Sequence, residues 1–120
     1  MKVLVAEDDR TMQKMVEILL SRRNIPCTIV EDGRNAVEAW EHNDYDLIFM
    51  DVQMPHLNGL EATRMIRQKE SVRGGHTAII AMTAHVLAHD IRQCFESGMD
   101  DYISKPIDFE KLFALIERYA

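Results

Sequence analysis

The sequence predicts an α/β fold of the doubly wound type, with a five-stranded parallel sheet in the order 2-1-3-4-5. The first observation is that five short apolar runs alternate with five stretches in which apolar residues recur at helical spacing. Strands that alternate with helices form parallel sheets with helices on both faces. The second observation is that the first, third and fourth runs are almost wholly apolar, as central strands are, whereas the second and fifth include polar residues, as edge strands can.

The five strands are predicted from these runs and from the turn residues that bound them. They cover residues 2–6, 28–30, 47–51, 78–82 and 102–104. Turn pairs separate them from the helices, such as Asp32-Gly33 after the second strand and Asn58-Gly59 after the third. The arrangement is a flavodoxin-like (βα)5 fold, in which a crevice opens between strands 1 and 3 at their carboxyl ends.

The five helices are predicted from apolar stripes. These stripes comprise Met12, Met15, Val16, Leu19 and Leu20; Ala36, Val37 and Trp40; Leu60, Ala62, Thr63, Met65 and Ile66; Val86, Leu87, Ile91, Cys94 and Phe95; and Leu112, Phe113, Leu115 and Ile116. We expect Asp9 and Asp108 to cap the first and last helices, and Gly98 to end the fourth in a left-handed conformation. Trp40 and the methionines are interpreted as core packing.

Length and composition indicate one domain over residues 1–120, with 47% apolar and 28% charged residues. A formal net charge of −6 argues against sequence-independent binding to nucleic acid. No apolar run approaches the roughly 20 residues of a membrane span, and residues 1–6 are too short for a signal peptide. Cys27 and Cys94 are far apart and lack metal-ligand spacing, which favours reduced thiols. We therefore expect a cytoplasmic domain that does not contact the membrane.

Polar side chains stand at the carboxyl ends of four predicted strands. They are Glu7 and Asp8 after the first strand, Asp51 at the end of the third, Thr83 after the fourth and Lys105 after the fifth. Parallel strands bring all five to one rim of the sheet, although Asp51 taken alone could simply cap a turn. Crowded carboxylates repel, so one must take up a proton or the group must hold a cation. Oxygen ligands of this kind suit Mg²⁺, and a carboxylate can act as a nucleophile that forms an aspartyl phosphate.

Together with further motifs, these residues resemble the receiver domain of two-component response regulators. The motifs are Met54-Pro55, Gly59, Met82-Thr83-Ala84, Tyr102 and Lys105-Pro106. The resemblance covers essentially the whole chain, so we expect no effector domain within it. Segments 50–55 and 98–102 also resemble receivers attached to hybrid sensor histidine kinases, and the sequence leaves open whether the domain is free-standing or part of a larger protein.

The resemblance implies a phosphorylation-controlled switch rather than an enzyme in its own right. Asp51 would accept a phosphoryl group from a phosphohistidine of a histidine kinase or histidine phosphotransfer domain. Mg²⁺ would be bound by Asp8, Asp51 and the backbone carbonyl of Gln53, with Glu7 acting through water. The resemblance also implies a downstream protein target that recognises the fourth helix, fifth strand and fifth helix.

The remaining implied roles concern the phosphorylated state. Thr83 and Lys105 would bind the phosphoryl oxygens, and Tyr102 would rotate inward as Thr83 moves. The Lys105-Pro106 bond resembles one that is cis in the family and would aim the ammonium into the site. Gln53 and His85 are possible modulators of phosphoryl lifetime.

Several alternatives remain open at this stage. Tyr102 could only cover the core, His85 could be a solvated residue at the start of a helix, and Asp9 fits a helix cap better than a metal ligand. Ile18 lies off the apolar stripe of the first helix and could contact the phosphodonor. A Mg²⁺-dependent phosphatase with an aspartyl nucleophile is the alternative from another class, although Gln53 stands where such enzymes carry an acid. A binding module of the same fold that is never phosphorylated is the third possibility.

Overall fold

The computed structural model describes residues 1–119, and it confirms the predicted architecture. The elements are β1 Val3–Ala6, α1 Arg10–Ser21, β2 Cys27–Val30, α2 Gly33–His42, β3 Leu47–Asp51, α3 Gly59–Arg73, β4 Ala78–Thr83, α4 Ala88–Ser97, β5 Asp101–Ser104 and α5 Phe109–Tyr119. All strand pairs are parallel, in the order β2-β1-β3-β4-β5. Within residues 1–119, none of the helices combines the length and apolar character needed to cross a membrane.

The central strands are buried on both sides, as their composition predicts. Every residue of β1 and β3 is buried, and so is β4 after its first residue. The edge strands β2 and β5 each expose a residue to solvent, Thr28 and Tyr102 respectively. Asp51 is therefore a carboxylate at the end of a fully buried strand, which is the unusual feature of this sheet.

Two apolar layers cover the two faces of the sheet. On one face, Val16 and Leu20 of α1 and Leu112 and Ile116 of α5 pack against the strands. The other face is covered by α2, α3 and α4, through Val37, Trp40, Ile66 and Cys94. The Trp40 indole N–H donates to Thr77 Oγ1 at 2.9 Å, which satisfies its polar atom and confirms its place in the core.

The predicted helix caps are present. The Asp9 carboxylate accepts hydrogen bonds from the backbone N–H groups of Thr11 and Met12 at the start of α1. Asp108 accepts one from the N–H of Glu110 at the start of α5. Gly98 ends α4 with a φ of 111°, in the left-handed region where glycine has no steric penalty.

Parts of the predicted helical core are wrong. Val86 and Leu87 precede α4 rather than forming its first turn, and they are 47% and 73% exposed. Phe95 and Met65 also face solvent, on α4 and α3, so Met65 is not a packing residue. Helical spacing identifies a stripe but does not say how wide the covered surface is, and α4 buries just Cys94 and Ser97 among its described residues.

Candidate functional site

The acidic side chains meet at the carboxyl ends of β1 and β3. The register pairs Ala6 with Met50, so the next residues, Glu7 and Asp51, leave the sheet side by side. Asp8 follows Glu7 and is exposed at the mouth of the site. One carboxylate oxygen from each of Glu7, Asp8 and Asp51 lies within 4.8 Å of the others. The prediction that these three acids come together is confirmed.

Lys105 completes the cluster from the end of β5. Its ammonium lies 2.8 Å from Glu7 Oε1 and 3.4 Å from Asp51 Oδ2. The Lys105-Pro106 peptide bond is cis, as the resemblance to receiver domains implies. Burial opposes the charge on Lys105, but its hydrogen bond to Glu7 and the charge of Asp51 raise its pKa above the ordinary value. One cation thus faces two buried carboxylates.

Glu7 is fully buried, and its charge is stabilised locally. Lys105 lies at Oε1, and the backbone N–H of Asp9 donates to Oε2 at 3.0 Å. Burial works against ionisation of Glu7, yet the hydrogen bonds from Lys105 and Asp9 leave its pKa below the ordinary value. Glu7 is therefore the acid that retains its charge.

Asp51 has the opposite tendency. The pKa of its carboxyl is raised to about 7, first by burial and then by the hydrogen bond and the negative charge of neighbouring Glu7. Lys105 and the backbone N–H of Gln53, which donates to Asp51 Oδ1 at 3.3 Å, oppose it. The sequence predicts that crowded acids need a proton or a cation. The geometry agrees, because Asp51 is the carboxyl whose pKa its surroundings raise.

The cluster opens into a cavity of about 300 Å³ that is lined by Glu7, Asp8, Asp9, Asp51, Gln53, Ala84, His85 and Lys105. Gln53 and His85, predicted as possible modulators, therefore lie at the cavity. Asp9 also lines it, but its carboxylate is engaged as the cap of α1.

Thr83 lies at the end of β4 with its hydroxyl turned toward its own chain. Thr83 Oγ1 accepts a hydrogen bond from the N–H of His85 at 2.9 Å and donates to the carbonyl of His85 at 3.3 Å. On the neighbouring strand, Tyr102 is 37% exposed, so its ring is partly in solvent. Thr83 and Tyr102 are thus placed on adjacent strands near the rim, and neither is engaged with the acids by a hydrogen bond that the described residues show.

The donor set fits a magnesium ion. Three carboxylates converge at the mouth of a polar cavity, which is the all-oxygen environment that this ion takes in proteins. Lys105 balances part of the negative charge through its contacts with Glu7 and Asp51.

The sequence interpretation missed two features of this site. It placed Lys105 opposite the phosphoryl group but not in a 2.8 Å pair with Glu7. The side chain of glutamate at position 7, which is longer than that of aspartate, could have indicated that reach. It also treated Gly33 as a turn residue, whereas its amide contacts the loop after Asp51.

Comparison with known proteins gives the family. The sequence description of the family named "Response regulator receiver domain" matches residues 3–117. The chain belongs to this family. It is a receiver domain of the kind found in two-component and phosphorelay systems, and such domains are phosphoacceptor switches rather than dedicated enzymes.

Similar receivers occur in hybrid kinases and response regulators. The chain is 46% identical over 120 residues to a hybrid signal transduction histidine kinase of Dictyostelium discoideum, a match that covers 96% of the chain and 7% of that protein. The receiver spans no more than half the length of the first curated relatives it matches.

Two solved structures are similar over almost the whole receiver. One is a complex from Saccharomyces cerevisiae between a histidine phosphotransfer signalling protein and the receiver domain of its downstream response regulator, with a TM-score of 0.94, 31% identity, and coverage of 99% of this chain and 88% of that one. The other is the receiver of a Pseudomonas aeruginosa sensor histidine kinase with a magnesium ion coordinated in its active site cleft, with a TM-score of 0.89, 37% identity, and coverage of 98% and 95%.

Proposed function

We propose that this receiver accepts a phosphoryl group on Asp51 in a Mg²⁺-dependent reaction and acts as a phosphorylation-controlled switch. The observation that carries the proposal is the convergence of Glu7, Asp8 and Asp51 with Lys105 at one rim. We further propose that the donor is a phosphohistidine of a histidine kinase or phosphotransfer domain, as the similar yeast complex suggests.

The reaction would be a displacement at phosphorus. An oxygen of the Asp51 carboxylate forms a bond to phosphorus while the bond from phosphorus to the donor nitrogen breaks, and that nitrogen keeps the electron pair and takes up a proton. Asp51 must be deprotonated to attack, and its raised pKa makes the charged form depend on nearby cations. Phosphoryl transfer asks the protein for positioning and charge neutralisation rather than for further covalent chemistry.

Five groups would hold the metal and the transferred phosphoryl group. Asp8, Asp51 and the backbone carbonyl of Gln53 would ligate Mg²⁺, with Glu7 acting through water. Magnesium, when bound, supplies positive charge that neutralises the carboxylates and the phosphoryl oxygens. Lys105, already 3.4 Å from Asp51 Oδ2, would donate to a phosphoryl oxygen from the other side.

Thr83 and Tyr102 would convert this local event into a change of surface. The added group carries about −1.5 to −2 charges. For Thr83 to bind it, the hydroxyl must give up its two hydrogen bonds to His85, which pulls on the segment that leads into α4. Tyr102 would then move from its partly exposed position, and the α4-β5-α5 face would be the surface that a downstream protein recognises.

Gln53 and His85 would influence how long the phosphoryl group survives, because both line the cavity over Asp51 through which water must approach. Self-catalysed phosphorylation from small donors and autodephosphorylation belong to the same proposal. The phosphatase alternative has less support, since the Gln53 side chain is an amide and cannot act as an acid or base. A cytoplasmic location, and the absence of nucleic-acid or membrane binding, stay predictions from the sequence.

The test is labelling by acetyl phosphate. In the presence of MgCl₂ the wild type should gain one phosphoryl group by intact mass spectrometry, and chelation with EDTA should prevent it. Asp51→Asn should remain unlabelled, while the control Asp101→Asn, changed on an acid of β5, should label normally. Labelling of the Asp51→Asn protein at the wild-type rate would refute the assignment.

A further inference from the structure

The amino-terminus of α2 is bonded to the loop that follows Asp51. The helix starts at Gly33, and Asp32 caps it by accepting from the N–H of Asn35 at 2.8 Å. The N–H of Gly33 has no partner inside the helix, as is true of every first helical turn. It donates instead to the carbonyl of Leu57 at 3.0 Å. The helix therefore holds a carbonyl of the β3–α3 loop at its positive end.

This contact leaves no room for a side chain on Gly33. A Cβ at this position would lie 2.1 Å from the carbonyl oxygen and 2.8 Å from the carbonyl carbon of Leu57, and 3.0 Å from the carbonyl oxygen of Asn58. These are backbone atoms, so they cannot rotate away as the end of a side chain could. Gly33 is not among the glycines with positive φ, so the need for glycine here arises from the close approach and not from backbone conformation.

The loop held by Gly33 is short and is fixed at its base as well. It consists of residues 52–58, and the N–H of Gly59 donates to the carbonyl of Val52 at 2.9 Å, which closes it. A Cβ on Gly59 would lie 2.1 Å from the carbonyl oxygen of Asp51, so the start of α3 sits directly against the strand end. The loop is thus held by two backbone contacts, one between Leu57 and Gly33 and one between Val52 and Gly59.

Gln53 lies between those contacts. Its N–H donates to Asp51 Oδ1 at 3.3 Å, and the residue lines the cavity over the acids. Three residues separate Gln53 from Leu57, and the N–H of Leu57 donates to the carbonyl of Pro55 within the same loop at 2.8 Å, so a shift of the Leu57 carbonyl has a short backbone path to Gln53.

We propose that Gly33 is a positioning residue for phosphoryl transfer. By allowing α2 to contact the β3–α3 loop closely, it sets the place of the Gln53 amide and carbonyl beside Asp51, and hence the affinity of the site for a divalent cation. The inference rests on the function proposed above. Gly33 itself touches neither the acids nor the cavity.

The experiment compares Gly33→Ala with a matched control, Gly98→Ala. Gly98 lies just before β5 and therefore at the opposite end of the sheet, and a Cβ there would also collide, at 2.7 Å from Arg67 Cγ. Both variants are expected to lose stability in urea unfolding. Titration with MgCl₂, followed by the amide resonances of residues 51–54, should show a roughly tenfold weaker affinity in Gly33→Ala and a wild-type affinity in Gly98→Ala. Gly33→Ala should label more slowly with acetyl phosphate as well.

Equal Mg²⁺ affinity in Gly33→Ala and the wild type would overturn the inference, even if the variant were less stable. If Gly33→Ala does not fold, the test uses an MgCl₂ titration of the wild type. The amide resonance of Gly33 should then shift with the same midpoint as that of Gln53. A Gly33 amide that does not respond would contradict the proposal. If the wild type neither binds Mg²⁺ nor labels, the proposed function fails first, which separates the two outcomes.

Discussion

The Lys105 ammonium lies 2.8 Å from Glu7 Oε1, and this pair joins the ends of β5 and β1 across the site. Glu7 is fully buried, whereas Lys105 is 22% exposed. A buried acid whose cation is removed is left with an uncompensated charge, which is costly even where the pair itself adds little stability. In the unmodified receiver, Lys105 therefore stabilises the acidic rim as well as facing Asp51.

The first prediction concerns that pair. Lys105→Met should lower the free energy of unfolding by about 3 kcal/mol, because Glu7 loses its cation in a buried position. The double variant Glu7→Gln/Lys105→Met should recover most of the loss, and Lys111→Met, at an exposed position of α5, should unfold like the wild type. Urea unfolding at neutral pH measures all three. Equal losses in the single and double variants would show that the pair does not carry the effect.

The second prediction concerns the pH dependence of the metal-free protein. The pKa of Asp51 is raised to about 7 by burial and by neighbouring Glu7, against roughly 4 in an unfolded chain. A carboxyl whose pKa is higher in the folded than in the unfolded state contributes its full stability below the unfolded pKa. That contribution is lost as pH rises through the folded pKa. Asp51→Asn cannot ionise, so its stability relative to the wild type should grow between about pH 4 and pH 7, by at most about 1.4 kcal/mol per pH unit.

Urea unfolding of both proteins in EDTA across that range provides the measurement. Adding MgCl₂ should reduce the difference at pH 7, because a bound cation stabilises the charged carboxylate in the wild type alone. If the difference in unfolding free energy between the two proteins does not change with pH in EDTA, Asp51 is not the acid whose pKa is raised by burial and by Glu7.

The third prediction concerns the phosphodonor. Ile18 is 42% exposed on α1, as its position off the apolar stripe predicts. Ile18→Ala should slow transfer from a phosphorylated histidine phosphotransfer protein roughly fivefold, since truncating an interface contact costs about 1 kcal/mol. The rate of labelling by acetyl phosphate should not change, because so small a donor makes no contact with Ile18. Val72→Ala, at an apolar α3 residue that is 92% exposed, is the control, and equal transfer rates in both variants would remove Ile18 from the interface.

The fold and most of the site could be predicted because they depend on patterns that the sequence carries directly. The buried runs of β1, β3 and β4 fix which strands are central, and parallel order then brings Glu7, Asp51 and Lys105 to one rim. The cap at Asp9 followed from residue type and position.

What could not be predicted depends on contacts between segments far apart in the chain. Glu7 and Lys105 are separated by nearly the whole sequence, and their pairing requires side-chain geometry at the rim. The need for glycine at position 33 arises from the carbonyl of Leu57, which no local pattern indicates. The exposure of Phe95 on α4 depends on how much of that helix its neighbours cover.

The most direct test of the central claim is a crystal structure of the protein grown with MgCl₂ and beryllofluoride, a tetrahedral mimic of a phosphoryl group. We expect beryllofluoride on an oxygen of Asp51, a magnesium ion ligated by Asp8 and Asp51, and Thr83 and Lys105 bound to the fluorines. A rim without the ion and the adduct, or an adduct on another side chain, would contradict the proposal that Asp51 accepts phosphate.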